Sequence, residues 1–198
     1  MKSATYKWLV FICISLVGFN AVSAVQSNVK GESKLGGDFQ LTDHNGQLFD
    51  LKDERGKVIL IFFGYTSCPD ICPMELSLLS RLLGLLKEDS KKVKVLFISV
   101  DPERDTPKIL KQYVSYFNPQ VVGLTGSIEQ IAKVSEQYHA LNNVAADADK
   151  NANYTVSHSG NIYMVDGKGL LTNIVPFGIP IEHVQQLVNV QLKLIDSD

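Results

Sequence analysis

The sequence predicts an α/β fold in which a mixed β-sheet is flanked by helices and preceded by a β-hairpin. Three observations carry this. Val58 to Phe63 is a continuous apolar run rich in β-branched and aromatic residues, the pattern of a central strand covered on both faces. A leucine series at helical spacing follows it, and then a second apolar run, Val93 to Val100, so the three form a strand-helix-strand unit. Upstream, two short apolar stretches flank Asn45-Gly46, a pair that favours a tight hairpin turn.

The chain has 198 residues, 45% of them hydrophobic, which suits one globular domain plus a leader. Lys2 and Lys7 precede an apolar stretch from Trp8 to Val17, broken only by Ser15 and ending in Val22-Ser23-Ala24. That layout predicts a signal peptide over residues 1–24. An uncleaved amino-terminal membrane anchor is the alternative, because the apolar segment approaches the roughly 20 residues a spanning helix needs. Cys13 lies within this segment behind Ile12, where a lipoprotein signal requires a small residue, so lipidation is not expected. Either reading exports the domain, to the periplasm or the periplasmic face of a bacterial inner membrane. Without residues 1–24 the balance of 19 basic and 21 acidic residues becomes 17 and 21, a net −4, and nothing in it suggests nucleic acid.

Residues 25–35 are polar and read as a linker, and the domain is expected over residues 36–196. Phe39 and Leu41 lead into Asp43-His44-Asn45-Gly46, and Leu48, Phe49 and Leu51 complete the hairpin, with His44 a turn residue. After the central strand and the turn carrying Cys68 and Cys72, Met74 to Lys87 is predicted helical, its apolar face built from Leu76, Leu78, Leu79, Leu82, Leu83, Leu85 and Leu86. Pro69 and Pro73 each push the preceding cysteine away from helical geometry, which sets the helix start near Pro73. Thr106 caps the next helix with Pro107 in its first turn. Val121 to Leu124 is a short strand. Ser127 caps a third helix running to about His139, with Ile128, Ile131, Ala132, Val134 and Tyr138 as its apolar positions and His139 a solvated terminal residue. Leu141 to Ser157 has no apolar period and reads as a long polar loop, a class often functional, which ends at His158. Ile162 to Val165 and Leu170 to Val175 form strands around Asp166-Gly167-Lys168-Gly169, and Ile179 to Ile195 is the last helix, with His183 on its surface. A cysteine pair at the carboxyl end of the first strand of a strand-helix-strand unit is what a thioredoxin-like mixed sheet requires.

Outside the leader, Cys68 and Cys72 are the only cysteines, and two so close in sequence constrain the unfolded chain too little to serve as a staple. A site is the better reading. The start of a helix favours thiolate, which is both nucleophile and soft-metal ligand, and the spacing permits a disulfide or a metal. Three residues separate the cysteines, where thioredoxin-type pairs have two. Thr66 stands two residues before Cys68, where a peroxidatic motif places its threonine three before. No proline precedes the strand at Ile162, where thioredoxin-like oxidoreductases carry one facing the thiols; His158-Ser159-Gly160-Asn161 stands there instead.

Four blocks, in order across nearly the whole domain, resemble the Sco/SenC family of copper-binding assembly factors for cytochrome c oxidase. They are Gly64-Tyr65-Thr66-Ser67-Cys68-Pro69-Asp70-Ile71-Cys72-Pro73, Ser99-Val100-Asp101-Pro102-Glu103-Arg104-Asp105-Thr106-Pro107, Gly123-Leu124-Thr125-Gly126, and His158-Ser159 with Tyr163-Met164-Val165-Asp166. The resemblance implies copper, Cu(I) or Cu(II), as the bound metal and Cys68, Cys72 and His158 as its ligands. The chemistry agrees: two thiolates suit Cu(I), an added imidazole accommodates Cu(II), and three ligands leave an open position for transfer. Met74 reads as helix core rather than a thioether donor. Asp101 to Asp105 lies at the same sheet edge, either orienting Arg104, presenting a docking surface, or capping the next helix; Asp70 lies between the cysteines with no role the sequence assigns.

The leading expectation is a metallochaperone that passes copper to the oxidase subunit bearing the CuA centre, a membrane-associated client. Other periplasmic copper chaperones or thiol reductants are further partners. A thiol-disulfide oxidoreductase acting on the client's copper-ligand cysteines through Cys68 and Cys72 is the alternative, and a copper buffer or signalling protein without an oxidase client is the weaker third.

Overall fold

The computed structural model describes residues 35–140 and 159–197. The leader, most of the linker, the 141–157 loop and His158 lie outside them. Among the described residues no helix is long and apolar enough to cross a membrane.

The hairpin forms as the sequence predicts. Strands β1 (Gln40–Asp43) and β2 (Leu48–Asp50) pair antiparallel, and Gly46 supplies the positive φ of the turn at +78°. His44 sits in that turn and also accepts the Gly123 N–H through Nδ1 at 2.9 Å. Strand β3 (Val58–Gly64) is buried at all seven positions because helices or loops cover both its faces. It runs parallel to β4 (Val93–Ser99), and β4 runs parallel to β5 (Val121–Thr125). Strands β6 (Ile162–Val165) and β7 (Leu171–Val175) form a second hairpin, and β6 pairs antiparallel with β3, placing Ile162 opposite Phe62. The order across the sheet is β2-β1-β5-β4-β3-β6-β7, a thioredoxin-like mixed sheet.

Alternation along β3 builds two cores. Leu60 and Phe62 face helices α1 (Ile71–Leu86), α2 (Pro107–Phe117) and α4 (Ile181–Ser197), meeting Leu76, Leu110 and Val184. Ile59, Ile61 and Phe63 face α3 (Ile128–Gln137) and the first hairpin, meeting Ile131, Val134 and Leu41. Each such side chain, taken wholly from water, contributes about 1.5–3 kcal/mol. The capping residues are those the sequence marks: Thr106 accepts from the Ile109 N–H, and Ser127 forms a reciprocal capping box with Gln130.

Three expectations need correction. Helix α1 begins at Ile71, not near Pro73, so Cys72 is helical. Proline at the third helical position removes an N–H that has no intrahelical partner anyway, and its ring meets no helical carbonyl behind it. Cys72, Glu75, Leu76 and Leu79 point inward on the same stripe as the predicted Leu82, Leu83 and Leu86, whereas Met74 points out, 53% exposed rather than core, and Leu85 is exposed too. In α3, Ile128 and Ala132 are exposed, since Ile131, Val134 and Ser135 make the inward stripe. The last helix starts two residues later than predicted, at Ile181, because Pro180 stands at its threshold and offers its carbonyl to the His183 and Val184 N–H groups.

Candidate metal centre at the β3–α1 turn

Strand β3 ends at Gly64, and the next six residues turn the chain from the sheet into α1. Gly64 is required there: a β-carbon would stand 2.7 Å from Cys72 Sγ and 2.7 Å from Phe97 Cε2. The close approach of that backbone seats the Cys72 sulfur against the sheet. Cys68 closes a turn by donating its N–H to the Tyr65 carbonyl at 3.2 Å, and the Cys72 N–H reaches Cys68 Sγ at 3.5 Å. The Cys68 sulfur therefore sits over the open end of α1, where unpaired N–H groups favour negative charge. Cys72 is fully buried and Cys68 partly so, and both carry thiols.

Burial pushes the Cys72 thiol far up from its ordinary range. Its hydrogen bond to Cys68 and the negative charge of Cys68 and Asp105 add to this, and the Tyr65 N–H opposes it by donating to Cys72 Sγ. The two sulfurs thus form one hydrogen-bonded pair, with the outer member accessible and the inner one holding its proton.

The segment between β4 and α2 anchors the turn from behind. Asp105 is fully buried and accepts the Thr66 N–H at 2.9 Å, the Thr66 hydroxyl at 2.5 Å and the Ser99 hydroxyl at 2.6 Å. Burial raises the Asp105 carboxyl above the usual range despite these bonds. Asp101 is ion-paired with Arg104, whose guanidinium lies over the Tyr65 ring at 5.8 Å. Of the readings open for this stretch, a docking surface does not hold for Asp101 and Asp105. Both carboxylates are internal, and they tie the β4 end to the cysteine turn across the parallel β3–β4 pair.

On the other flank the chain re-enters description at Ser159, whose hydroxyl lies 2.9 Å from the Tyr163 hydroxyl. Gly160 packs so closely that a β-carbon there would stand 3.0 Å from Phe177 Cβ and 3.4 Å from Ile71 Cγ2. Cys68 and Cys72 are brought together as expected; His158 lies outside the described residues. Two groups stand beside the site without being assigned there by the sequence, which marks Tyr113 only as an apolar position of α2 and does not single out Glu75. Glu75, one turn beyond Cys72, is 2% exposed, and burial pushes its carboxyl up to about 7. Its position three residues after Cys72 and one before Leu76 was the available signal. Tyr113 from α2 stacks on Phe97 at 5.5 Å and buries its hydroxyl, and its phenol is pushed up by burial and by the charges of Cys72, Cys68 and Asp105.

The SCO1/SenC family model matches residues 27–192. The chain belongs to the SCO1/SenC family. A SCO2-like protein of Rickettsia felis is 38% identical over 148 residues, 75% of this SCO1/SenC chain and 70% of that protein. The structure of Bradyrhizobium japonicum ScoI with copper bound matches with a TM-score of 0.72 at 40% identity, covering 80% of this chain and 99% of that one. BsSco, described as a member of the Sco family of cytochrome c oxidase assembly proteins and the subject of an identified disulfide switch, matches at 0.63 and 25% identity over 81% and 96%. Solved SCO1/SenC relatives therefore hold copper on this fold.

Proposed function

We propose that this protein is an exported copper-binding assembly factor of cytochrome c oxidase, in which Cys68 and Cys72 supply thiolates and His158 an imidazole. The observation that carries it is the meeting of two limbs at the open end of α1. One limb brings the two sulfurs together, and the other places Gly160 against Ile71, the residue before Cys72. His158 is two residues from Gly160, a separation the chain spans in at most about 7 Å. The donor set fits the metal: paired thiolates suit Cu(I), and one imidazole extends the set to Cu(II). Copper is cargo here, bound by three donors and passed through the open position to the oxidase subunit that carries the CuA centre. The protein acts in the periplasm or on the periplasmic face of the inner membrane, with residues 1–24 as a cleaved signal or an anchor.

The test is reconstitution of the reduced protein with Cu(I) and Cu(II), repeated for His158→Ala and Cys68→Ser. Wild type takes up one copper in either state; H158A keeps Cu(I) and loses the Cu(II) thiolate spectrum; C68S loses both. Unchanged stoichiometry and spectra in both variants would sink the proposal. The paired sulfurs also favour a second activity, reduction of the client's copper-ligand cysteines. Thiol transfer to a copper-free oxidase fragment, equal in wild type and H158A and abolished in C68S, supports that role; no transfer from wild type removes it.

A further inference from the structure

Backbone pairing of β3 with β4 ends at Gly64 opposite Ser99, and the Val100 N–H reaches the Gly64 carbonyl at 2.8 Å. Beyond that point the cysteine turn leaves the sheet. Asp105 holds it there with both carboxylate oxygens: Oδ1 accepts the Thr66 hydroxyl at 2.5 Å, and Oδ2 accepts the Thr66 N–H at 2.9 Å. Two bonds to one residue fix its orientation as well as its position. Oδ2 also accepts the Ser99 hydroxyl at 2.6 Å, which ties the grip to the end of β4. The carboxylate is placed by its own backbone, since the Asp105 N–H donates to the Asp101 carbonyl at 2.9 Å and Thr106 beside it caps α2. Thr66 stands two residues before Cys68. Its neighbour Tyr65 accepts the Cys68 N–H at 3.2 Å, and Cys68 Sγ in turn receives the Cys72 N–H at 3.5 Å. A short series of hydrogen bonds thus runs from Asp105 to the sulfur pair.

We propose that Asp105 is a positioning residue: by gripping Thr66 with both oxygens it fixes where Cys68 stands against Cys72, and so sets how readily the two sulfurs close into a disulfide. This rests on the thiol activity proposed above. A disulfide needs its β-carbons about 3.5–4.5 Å apart, so a turn that wanders closes less readily than one held in place. The carboxylate touches neither sulfur in this scheme and acts through Thr66.

The test uses the full chain, free of copper, equilibrated with reduced and oxidised glutathione. Cys68 and Cys72 give up two hydrogens and form one S–S bond, while the S–S bond of oxidised glutathione breaks to give two molecules of the thiol. Stability lost equally by the oxidised and reduced protein cancels from this equilibrium constant, so a merely structural role leaves it unmoved. Asp105→Ala lowers the constant about tenfold, the size of one lost charge-assisted hydrogen bond. Thr66→Val, which keeps the carboxylate and removes one of its two bonds to Thr66, lowers it at least about threefold, and Thr66→Ser, which keeps the hydroxyl, restores it. Ile131→Val, a core truncation in α3, leaves it unchanged. The inference is overturned if T66V and T66S behave alike, if D105A matches wild type, or if I131V lowers the constant as much as T66V does. Amide exchange at Cys72 is the second readout, faster by about tenfold in D105A and at wild-type rate in T66S. If wild type closes no disulfide with glutathione, the thiol reading falls, and the exchange readout alone decides whether Asp105 places Cys68: equal rates in D105A and wild type overturn it.

Discussion

Replacing Glu75 with glutamine changes how stability depends on pH, with a sign and size set by burial. The unburied reference for glutamate is 4.5, and in the fold the Glu75 carboxyl is pushed up to about 7. The folded protein therefore keeps a proton that the unfolded chain gives up. Its stabilising effect is fully present below pH 4.5 and is lost as pH rises through 7. At ~1.4 kcal/mol per pH unit, ionising Glu75 in place removes about 3 kcal/mol. Asp105 is raised in the same direction, and what it contributes is common to wild type and variant. E75Q removes the Glu75 part alone. Urea unfolding of the reduced, copper-free protein at pH 5, 6, 7 and 8 measures the difference, and comparing slopes against pH cancels any constant effect of the new amide. The wild-type curve should fall relative to E75Q by about 2–3 kcal/mol across the series. Parallel curves would refute the reasoning, since they would mean that Glu75 titrates alike in both states and is not buried in its neutral form.

Cys68 should be alkylated at least about tenfold faster than Cys72 at pH 7.5, because Cys72 is fully buried and keeps its proton; mass mapping of partly modified protein reads the order. Asp105→Asn should destabilise the domain by about 1–3 kcal/mol and speed amide exchange at Thr66, because one amide cannot accept from the Thr66 N–H and both hydroxyls at once. Gly64→Ala forces a methyl group to within 2.7 Å of Cys72 Sγ and should cost about 1–3 kcal/mol by thermal or denaturant unfolding, with the Cys72 alkylation rate rising as its sulfur is displaced.

The parts of this fold visible in the sequence are those fixed by local chemistry. The β3 run is apolar at both phases of the strand period, which only a doubly covered strand requires, and β3 indeed lies between β4 and β6. Gly46, Thr106 and Ser127 announce their turn and caps because each works on backbone groups a few residues away. The start of α1 was misplaced by two residues because two prolines argued locally against helix, whereas a first helical turn tolerates one. The cysteine pair was legible and its supports were not. Asp105 reaches Thr66 across 39 residues, and no periodicity in either segment records that bond. Glu75 is hidden for another reason: a carboxylate in a leucine helix reads as surface by its type, and only its place beside Leu76 and Leu79 on the inward stripe marks it as buried.

The burial of Cys72 also bears on how copper handling and thiol exchange divide the two cysteines. A thiol that keeps its proton is a poor nucleophile, so in the proposed thiol exchange, attack on a partner's disulfide would fall to Cys68, the more exposed sulfur at the open end of α1. Cys72 would then resolve the mixed disulfide, since its own sulfur is hydrogen-bonded to Cys68. A soft cation held by Cys68 and Cys72 would change this balance: its positive charge in the apolar pocket would take the place of the Cys72 proton and offset the cost of a buried thiolate, which would couple metal uptake to proton release. The same burial that slows Cys72 in exchange therefore favours a partner able to displace the proton. On this argument, if the two sulfurs are the metal ligands, a thiophilic metal would suit the site first, and exchange chemistry would run through Cys68 when the metal is absent.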